Sequence, residues 1–130
     1  MPLDIKILII DDSAFARTLL KLQLQLLDLN NVIEADSASE GWAILKSKNI
    51  DLVFLDHSMP GMTGLELLKK IRADEGLKTI KVIFLTGVED HKVLINLKNP
   101  ESFADMLYMK PVNYSNLKQN LKELLGINNS

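Results

Sequence analysis

The stretch DLVFLDHSMPGMTG, residues 51–64, decides the fold, because in it an apolar run ends abruptly on a carboxylate. Leu52–Leu55 is apolar throughout, without alternation, which is typical of a strand covered on both faces of a parallel sheet. Asp56 follows directly, and the segment after it contains proline and glycine, which predicts a loop. We therefore expect a buried strand that holds one aspartate rigidly at its end.

Short apolar runs and helical patterns alternate along the rest of the chain. The predicted strands are Lys6–Ile10, Val32–Ala35, Leu52–Leu55, Lys81–Leu85 and, more weakly, Met106–Met109. The predicted helices are Ala14–Leu27, Ser39–Lys46, Gly64–Ala73, Val88–Leu97 and Tyr114–Leu125. Because strand–helix–strand crossovers are right-handed, this order predicts an α/β fold with a doubly wound, five-stranded parallel sheet. We expect the flavodoxin-like strand order 2-1-3-4-5 and one domain over residues 1–130.

The first predicted helix contains an ambiguous segment, KLQLQLLDL at residues 21–29, which alternates like a half-buried strand. It has no β-branched residue and consists mostly of good helix formers, so we favour a helix, with Ser13 as its N-cap. Leu20 and Leu24 would widen the apolar face, and we expect them to belong to a broad core stripe; if exposed, they would mark a contact surface. Four apolar residues share one helical face that we expect to pack on the core: Phe15, Leu19, Leu22 and Leu26.

Composition excludes several classes of function. The chain is 47% apolar and 25% charged, which is typical of a folded globular domain. Its net charge is −2 and it has no basic run, so we expect no nucleic-acid binding. It has no cysteine, which rules out disulfides, thiolate catalysis and thiolate zinc sites. Without a signal peptide or an apolar stretch of membrane-spanning length, we expect a cytoplasmic protein that does not bind membranes.

Polar side chains end four of the predicted strands. Asp11 and Asp12 follow the first strand, Asp56 the third, Thr86 ends the fourth and Lys110 follows the fifth. A doubly wound sheet forms its ligand site at these carboxyl ends, so the three carboxylates should converge. Clustered carboxylates either raise one another's pKa or demand a cation, and an all-oxygen ligand set suits Mg²⁺. With a lysine and a hydroxyl donor nearby, the set has the parts that phosphoryl transfer needs.

Each of these signals has a simpler interpretation when taken singly. Asp-Asp-Ser before a helix is a good capping sequence, and Lys-Pro and Thr-Gly are common in loops. The combination, at successive strand ends in this order, is what indicates a site.

Four segments carry a resemblance to a known family: ILIIDDS (7–13), DLVFLDHSMPGMTGLELLKKIR (51–72), VIFLTG (82–87) and YMKP (108–111). The chain resembles, over almost its whole length, the receiver domain of two-component response regulators, particularly single-domain members like the chemotaxis regulators. The resemblance implies that Asp56 accepts a phosphoryl group from a histidine kinase or a histidine phosphotransfer protein. It also implies that Thr86 and Lys110 contact the phosphoryl oxygens. The implied Mg²⁺ ligands are Asp11, Asp12, Asp56 and the backbone carbonyl of Ser58.

The sequence departs from the family pattern at the residues that transmit the switch. Relatives usually carry an aromatic residue three positions before the lysine, where this chain has Leu107, followed by Tyr108. Neighbouring strand residues face opposite ways, so Tyr108 should substitute only if a bulge shifts the strand. The resemblance implies a cis bond before Pro111. We expect the switch to involve Thr86, Leu107, Tyr108 and Pro111, on a surface around the fourth helix and fifth strand.

Three further features carry weaker expectations. Val88 lies where relatives control phosphoryl lifetime, and its apolar side chain predicts slow hydrolysis. His57 is interpreted as a loop residue, with metal binding or a role in hydrolysis as the alternative. The unusual segment from Val88 to Met106 is either a nonstandard partner or dimer surface or a tolerated loop insertion.

The expected function is a phosphorylation-switched signalling module. Since the chain ends soon after the last predicted helix, we expect it to act by docking to a downstream protein, unless it is a fragment of a longer regulator. We expect no enzymatic activity beyond self-catalysed phosphoryl transfer and slow self-dephosphorylation. A homodimer remains a candidate form. The alternative is a receiver-like scaffold that binds its partner constitutively, without phosphorylation. An aspartate-nucleophile phosphatase would need a second aspartate where Ser58 stands, and a flavin carrier would need a Ser/Thr-rich loop after the first strand.

Overall fold

A computed structural model describes residues 4–87 and 97–126 of the chain. Five parallel strands form one sheet in the order β2-β1-β3-β4-β5, as predicted. The strands are β1 (Ile7–Ile10), β2 (Val32–Ala35), β3 (Leu52–Asp56), β4 (Lys81–Thr86) and β5 (Met106–Met109). Relative to the prediction, β3 and β4 each extend by one residue, so Asp56 and Thr86 are the last residues of their strands.

Four helices lie within the described residues: α1 (Ala14–Gln25), α2 (Ala38–Ser47), α3 (Gly64–Ala73) and a C-terminal helix (Tyr114–Leu125). The hydroxyl of Ser13 accepts a hydrogen bond from the Ala16 N–H, which confirms the predicted N-cap of α1. Asn113 caps the C-terminal helix in the same way. The helix predicted over Val88–Leu97 falls, except for Leu97, outside the described residues. Within the ranges described, no helix is long and apolar enough to cross a membrane.

The sheet is covered on both faces, as its apolar strands predict. On one face, Leu8, Ile10, Val53, Leu55 and Phe84 pack with α2 and α3. On the other face, Ile7, Ile9, Phe54, Ile83 and Leu85 pack with α1 and the C-terminal helix. The strand side chains in both layers are almost completely inaccessible to solvent. The backbone of the polar residues at the strand ends is therefore held in place by a sheet that is packed on both faces.

Only part of the apolar stripe predicted for α1 meets the core. Leu20 and Leu24 are buried against the sheet and belong to its core. The four residues predicted to face inward are exposed: Phe15 (78%), Leu19 (40%), Leu22 (53%) and Leu26 (71%). The prediction was wrong because α1 is apolar on two sides, and periodicity alone does not tell which side meets the sheet.

The segment before β5 is held against α3 by one buried arginine. Arg72 on α3 donates hydrogen bonds to the backbone oxygens of Phe103, Lys78 and Ile80 and to the Asp105 carboxylate. Asp105 in turn accepts the Val82 N–H at 2.8 Å. A short 3-10 helix, Pro100–Ser102, precedes this contact. The cluster fixes the amino ends of β4 and β5, at the opposite edge of the sheet from the aspartates.

Candidate functional site

Strand pairing brings the three predicted aspartates together. β1 and β3 are neighbours with Ile10 opposite Leu55, so the residues that follow, Asp11 and Asp56, lie side by side. Asp12 is next along the chain. One carboxylate oxygen from each of the three lies within 4.8 Å of the others. Asp11 and Asp56 are buried, at 1% and 2% exposure, whereas Asp12 is exposed to solvent.

Asp11 is held in place by its own loop and by α1. Its Oδ1 accepts the Ser13 N–H at 2.9 Å, and its backbone oxygen accepts a bond from Arg17 at 2.6 Å. The Arg17 Nε also donates to Glu34 on β2 at 2.9 Å. Sequence reasoning missed Arg17 and Glu34. The available signal was the single charged residue within the second strand, Val-Ile-Glu-Ala, which needed a partner.

Lys110 reaches into the acidic cluster, as predicted. Its Nζ lies 2.6 Å from Asp11 Oδ2 and 3.0 Å from Asp56 Oδ1. Its backbone N–H donates to the Thr86 carbonyl at 2.8 Å, which continues the β4–β5 pairing beyond the strand. The Lys110–Pro111 bond is cis, in agreement with the resemblance. The backbone bond to Thr86 fixes the end of β5 from which the lysine side chain extends.

The electrostatics of the cluster differ from those of an ordinary surface. Burial raises the pKa of Asp56 above 3.8, and the nearby Asp11 and Asp12 charges raise it further, while Lys110 opposes the shift. Burial works to lower the pKa of Lys110, but its hydrogen bonds to Asp11 and Asp56 outweigh burial and the pKa is raised. The lysine therefore stays charged, and it is the main neutralising group beside a carboxylate that is costly to ionise.

The donor set fits a hard divalent cation. Three carboxylates face one ammonium group, so negative charge is in excess. Their oxygens are close enough to share one ion, and hard divalent cations prefer oxygen ligands. Within the described residues, the group that could hold a metal contains no histidine. Asp11, Asp12 and Asp56 are thus brought together as predicted, while Ser58 lies exposed in the loop two residues after Asp56.

Thr86 and Gly87 border the cluster at the end of β4. Asp56 pairs with Leu85 across β3 and β4, which places the buried Thr86 one residue beyond the position opposite Asp56. At Gly87, an added Cβ would meet only open space. The end of β4 beside Asp56 therefore carries a buried threonine followed by a glycine, with open space where a side chain at residue 87 would begin.

The loop after β3 is fixed by close packing onto α3. A Cβ at Gly64 would overlap the Asp56 carbonyl oxygen, so only glycine allows α3 to begin this close to the strand. His57 Nδ1 accepts the Leu65 N–H at 3.3 Å, and the His57 ring lies 5.7 Å from the Phe84 ring. His57 therefore caps and packs against neighbouring elements. These contacts favour the interpretation of His57 as a loop residue.

Leu107 and Tyr108 face opposite sides of β5, as strand alternation predicts. Leu107 is opposite Phe84 and is 37% exposed, while Tyr108 is opposite Leu85 and is buried. The Tyr108 hydroxyl donates to the Asn116 carbonyl and accepts a bond from Asn120, both on the C-terminal helix. The pairing runs without interruption from Met106 to Met109, so no bulge turns Tyr108 toward Thr86.

The sheet order and the site at its carboxyl edge define a flavodoxin-like domain with an acidic pocket. Residues 7–122 match the family model described as the response regulator receiver domain, and the chain belongs to this family. The chain is similar to chemotaxis protein CheY-3 of Vibrio cholerae serotype O1, with 36% identity over 121 residues, 93% of this chain and 92% of that protein. It is also similar to chemotaxis protein CheY of Pseudomonas aeruginosa, with 34% identity over 92% of this chain and 94% of that one.

Solved structures agree with this assignment. A CheY-like receiver domain protein from Methanospirillum hungatei JF-1 superposes with a TM-score of 0.83 at 31% identity, covering 94% of each chain. Response regulator TrrA from Thermotoga maritima, solved in complex with Mg(2+)-BeF, gives a TM-score of 0.77 at 33% identity. That alignment covers 92% of this chain and 98% of TrrA. The predicted fold and family are confirmed.

Proposed function

We propose that this chain is a phosphorylation-switched signalling domain in which Asp56 accepts a phosphoryl group from the phosphohistidine of a histidine kinase or histidine phosphotransfer protein. The observation that carries the proposal is the convergence of Asp11, Asp12 and Asp56 within 4.8 Å, with Lys110 bonded to two of them. Similarity to chemotaxis regulators supports a role in chemotaxis signalling. In this proposal the domain acts in the cytoplasm.

The reaction needs Asp56 to be held in position and the negative charges of donor and acceptor to be neutralised. An oxygen of Asp56 attacks phosphorus, the phosphorus–nitrogen bond of the donor breaks, and the histidine leaves with its electron pair and takes up a proton. Lys110 holds Asp56 in position and balances the charge of the transferred group. Thr86, at the end of the neighbouring strand, offers a hydroxyl to a phosphoryl oxygen. Water later attacks the phosphorus of the acyl phosphate, the bond from phosphorus to the Asp56 oxygen breaks, inorganic phosphate leaves and the carboxylate is restored.

Mg²⁺ is the proposed cofactor, since the three carboxylates fit a hard ion and the related TrrA was solved with Mg(2+)-BeF. Asp11, Asp12, Asp56 and the Ser58 carbonyl would hold it. When bound, it supplies positive charge next to the acceptor oxygen, which lowers the cost of bringing two anions together. This chain's own contribution is to fix the carboxylates on β1 and β3 before the donor arrives.

The signal would leave the site through the residues that face Thr86. Phosphorylation adds about 1.5 to 2 negative charges and three acceptor oxygens, which would draw Thr86 and Lys110 inward. Leu107 and Met109 lie on that side of β5 and are 37% and 42% exposed. We infer that an aliphatic side chain at Leu107, rather than an aromatic one, follows Thr86 and changes the surface that a downstream protein reads.

The direct test is phosphorylation of the whole chain by a small acyl-phosphate donor, followed by intact mass measurement. We expect a gain of one phosphoryl group that requires Mg²⁺ and disappears in Asp56→Asn. Asp51→Asn is the matched control, because Asp51 lies at the other end of the same strand and accepts only the Lys6 N–H among its described bonds. The control should be phosphorylated like the original chain.

Two results would contradict the proposal. Phosphorylation that persists in Asp56→Asn would place the acceptor elsewhere. Failure of the original chain to take up phosphoryl or to bind Mg²⁺ would favour the constitutive scaffold. A pull-down with and without beryllofluoride would then separate the two functions, since a scaffold should capture the same partner in both states.

A further inference from the structure

The three aspartates of the acidic cluster are not held equally. The two carboxylate oxygens of Asp11 accept bonds from the Ser13 N–H and from the Lys110 ammonium group. Asp56 is buried at the end of β3 and also pairs with Lys110. The Asp12 carboxylate is exposed and, among the described residues, forms no hydrogen bond or ion pair. The position of the Asp12 side chain therefore depends on its backbone.

That backbone is held by Arg17. The arginine Nη1 donates to the Asp11 backbone oxygen at 2.6 Å. This oxygen belongs to the peptide group that joins Asp11 to Asp12, and because a peptide group is planar, fixing its oxygen also fixes the direction in which the chain enters Asp12. A hydrogen bond from a charged donor is about twice as strong as a neutral one. Arg17 thus constrains Asp12 without binding its carboxylate.

The place of Arg17 on α1 explains how its side chain reaches this turn. Arg17 lies four residues after the N-cap Ser13, whose carbonyl accepts the Arg17 N–H at 3.1 Å. Side chains on a helix tilt toward its N-terminus, so the guanidinium group is directed back to the turn that precedes α1.

Glu34 on β2 orients the guanidinium group. The Arg17 Nε donates to Glu34 at 2.9 Å, so the planar group is fixed at two points. The arginine side chain is only 16% exposed, so water competes little for these bonds. Within the part of the chain that the structure describes, Glu34 is the one carboxylate within ion-pairing distance of Arg17. The carboxylates of Asp11 and Asp12 are therefore left available to a cation.

We propose that Arg17, oriented by Glu34, is a positioning residue for the divalent cation: it holds the peptide group between Asp11 and Asp12 so that the Asp12 carboxylate stays beside the other two. This role rests on the proposed function, because it concerns the Mg²⁺ site of that function. Charge and geometry predict opposite results when the side chain is removed. Loss of a positive charge near an acidic site should by itself strengthen cation binding, whereas loss of the bond to the Asp11 carbonyl should weaken it.

Titration calorimetry of Mg²⁺ into the whole, unphosphorylated chain tests this role. Arg17→Met should weaken Mg²⁺ binding by on the order of tenfold, the effect typical of groups that orient metal ligands. Arg17→Lys keeps the charge, but a single ammonium group does not reproduce the planar fork that spans both acceptors. Arg17→Lys should therefore weaken Mg²⁺ binding as well.

Lys21→Met is the matched control. Lys21 lies on the same helix, carries the same charge and pairs with the same Glu34, at 3.5 Å. Among the described residues its side chain bonds only Glu34 and does not reach the acidic turn. Lys21→Met should therefore bind Mg²⁺ at least as tightly as the original chain.

Phosphorylation by a small acyl-phosphate donor at increasing Mg²⁺ concentration separates positioning from general damage to the fold. In Arg17→Met, the Mg²⁺ concentration that gives the half-maximal rate should rise by the same factor as the dissociation constant. The rate at saturating Mg²⁺ should stay close to that of the original chain. A purely structural role would instead reduce the amount of chain phosphorylated and leave the half-maximal Mg²⁺ concentration unchanged. Urea denaturation confirms that each variant is folded under the assay conditions.

The outcomes distinguish this role from the proposed function. Unchanged or tighter Mg²⁺ binding in Arg17→Met, unchanged binding in Arg17→Lys, or an equal loss in Lys21→Met would overturn the role of Arg17 and leave the proposed function intact. A chain that binds Mg²⁺ but takes up no phosphoryl group would contradict the proposed function, while the contrast between Arg17→Met and Lys21→Met would still support the role of Arg17. A chain that binds no Mg²⁺ would overturn both.

Discussion

Two clusters of buried charge lie at opposite edges of the same sheet, and they are built in opposite ways. At the amino edge, Arg72 donates to three backbone oxygens and to Asp105, so one cation is matched by several acceptors. At the carboxyl edge, a single lysine forms ion pairs with two aspartates, and a third aspartate lies close to them. The first cluster is complete within the chain, whereas the second has carboxylates in excess.

The difference separates a structural cluster from a functional one. Burial lowers the pKa of Arg72 and so disfavours its charge, but the neighbouring Asp105 opposes that shift. Burial raises the pKa of Asp56; the bond to Lys110 opposes this shift, whereas the like charges of Asp11 and Asp12 add to it. Like charges that add to the cost of burial are expected where a ligand will complete the site. The predictions below test this contrast.

The largest effect on stability should come from breaking the complete cluster. Arg72→Met removes the partner of Asp105, whose carboxylate would remain mostly buried, and leaves three backbone acceptors without their donor. We expect the free energy of unfolding to fall by about 3 kcal/mol, measured by urea denaturation. Lys46→Met is the control, because the Lys46–Asp74 pair involves an exposed lysine and should matter much less.

A double variant sharpens this result. Adding Asp105→Asn to Arg72→Met removes the unpaired charge and should restore part of the lost stability. If the two substitutions were simply additive, the pair would not act as a unit, and the amino-edge cluster would not be the structural clamp described above.

A smaller effect of opposite sign is expected at the carboxyl edge. The folded pKa of Asp56 is raised, so the ionised side chain costs stability above that pKa, and the cost disappears as the pH falls toward the ordinary value of 3.8. Asp56→Asn should therefore be more stable than the original chain at neutral pH, by about 1 kcal/mol. Its advantage should shrink toward zero as the pH is lowered, which denaturation at a series of pH values measures.

The same stability measurement, repeated with Mg²⁺, gives a second comparison of the two chains. At ten times its dissociation constant, an ion that binds only the folded chain adds about 1.4 kcal/mol of stability. The original chain should gain this amount at neutral pH, whereas Asp56→Asn should gain less, so Mg²⁺ narrows the difference between them. A neutral-pH loss of stability in Asp56→Asn without Mg²⁺ would mean that the Lys110 pair outweighs the cost of burial.

The fold was predictable because the strands are unusually apolar. Leu52–Leu55 and Lys81–Leu85 are short and bounded by polar residues, so their limits were correct to within one residue. The aspartates were predictable for the same reason, since strand order alone brings the residues after β1 and β3 together. Local sequence patterns were therefore sufficient to place those residues whose position is determined by the backbone of the sheet.

The sequence did not predict the features that depend on packing between helices and strands. Both sides of α1 are apolar, and only the contact of Leu20 and Leu24 with the sheet determines which side is buried. Arg17 and Arg72 were missed because their partners lie 17 and 33 residues away, and such pairings have no periodicity. Long polar side chains that bind backbone oxygens leave almost no trace in a single sequence.

The last prediction concerns a neutral polar contact, whose effect on stability can be compared with the effects at both charged clusters. Tyr108→Phe removes the hydroxyl that bonds Asn116 and Asn120, and should lower the free energy of unfolding by about 1 kcal/mol. Tyr114→Phe, at a more exposed tyrosine, should change it less. Because Tyr108 faces the C-terminal helix and Leu107 faces the side of Thr86, Tyr108→Phe should leave phosphorylation of Asp56 unchanged. A Tyr108→Phe variant that altered the rate of phosphoryl uptake would connect this side chain to the acidic edge, and the aliphatic route through Leu107 would then be wrong.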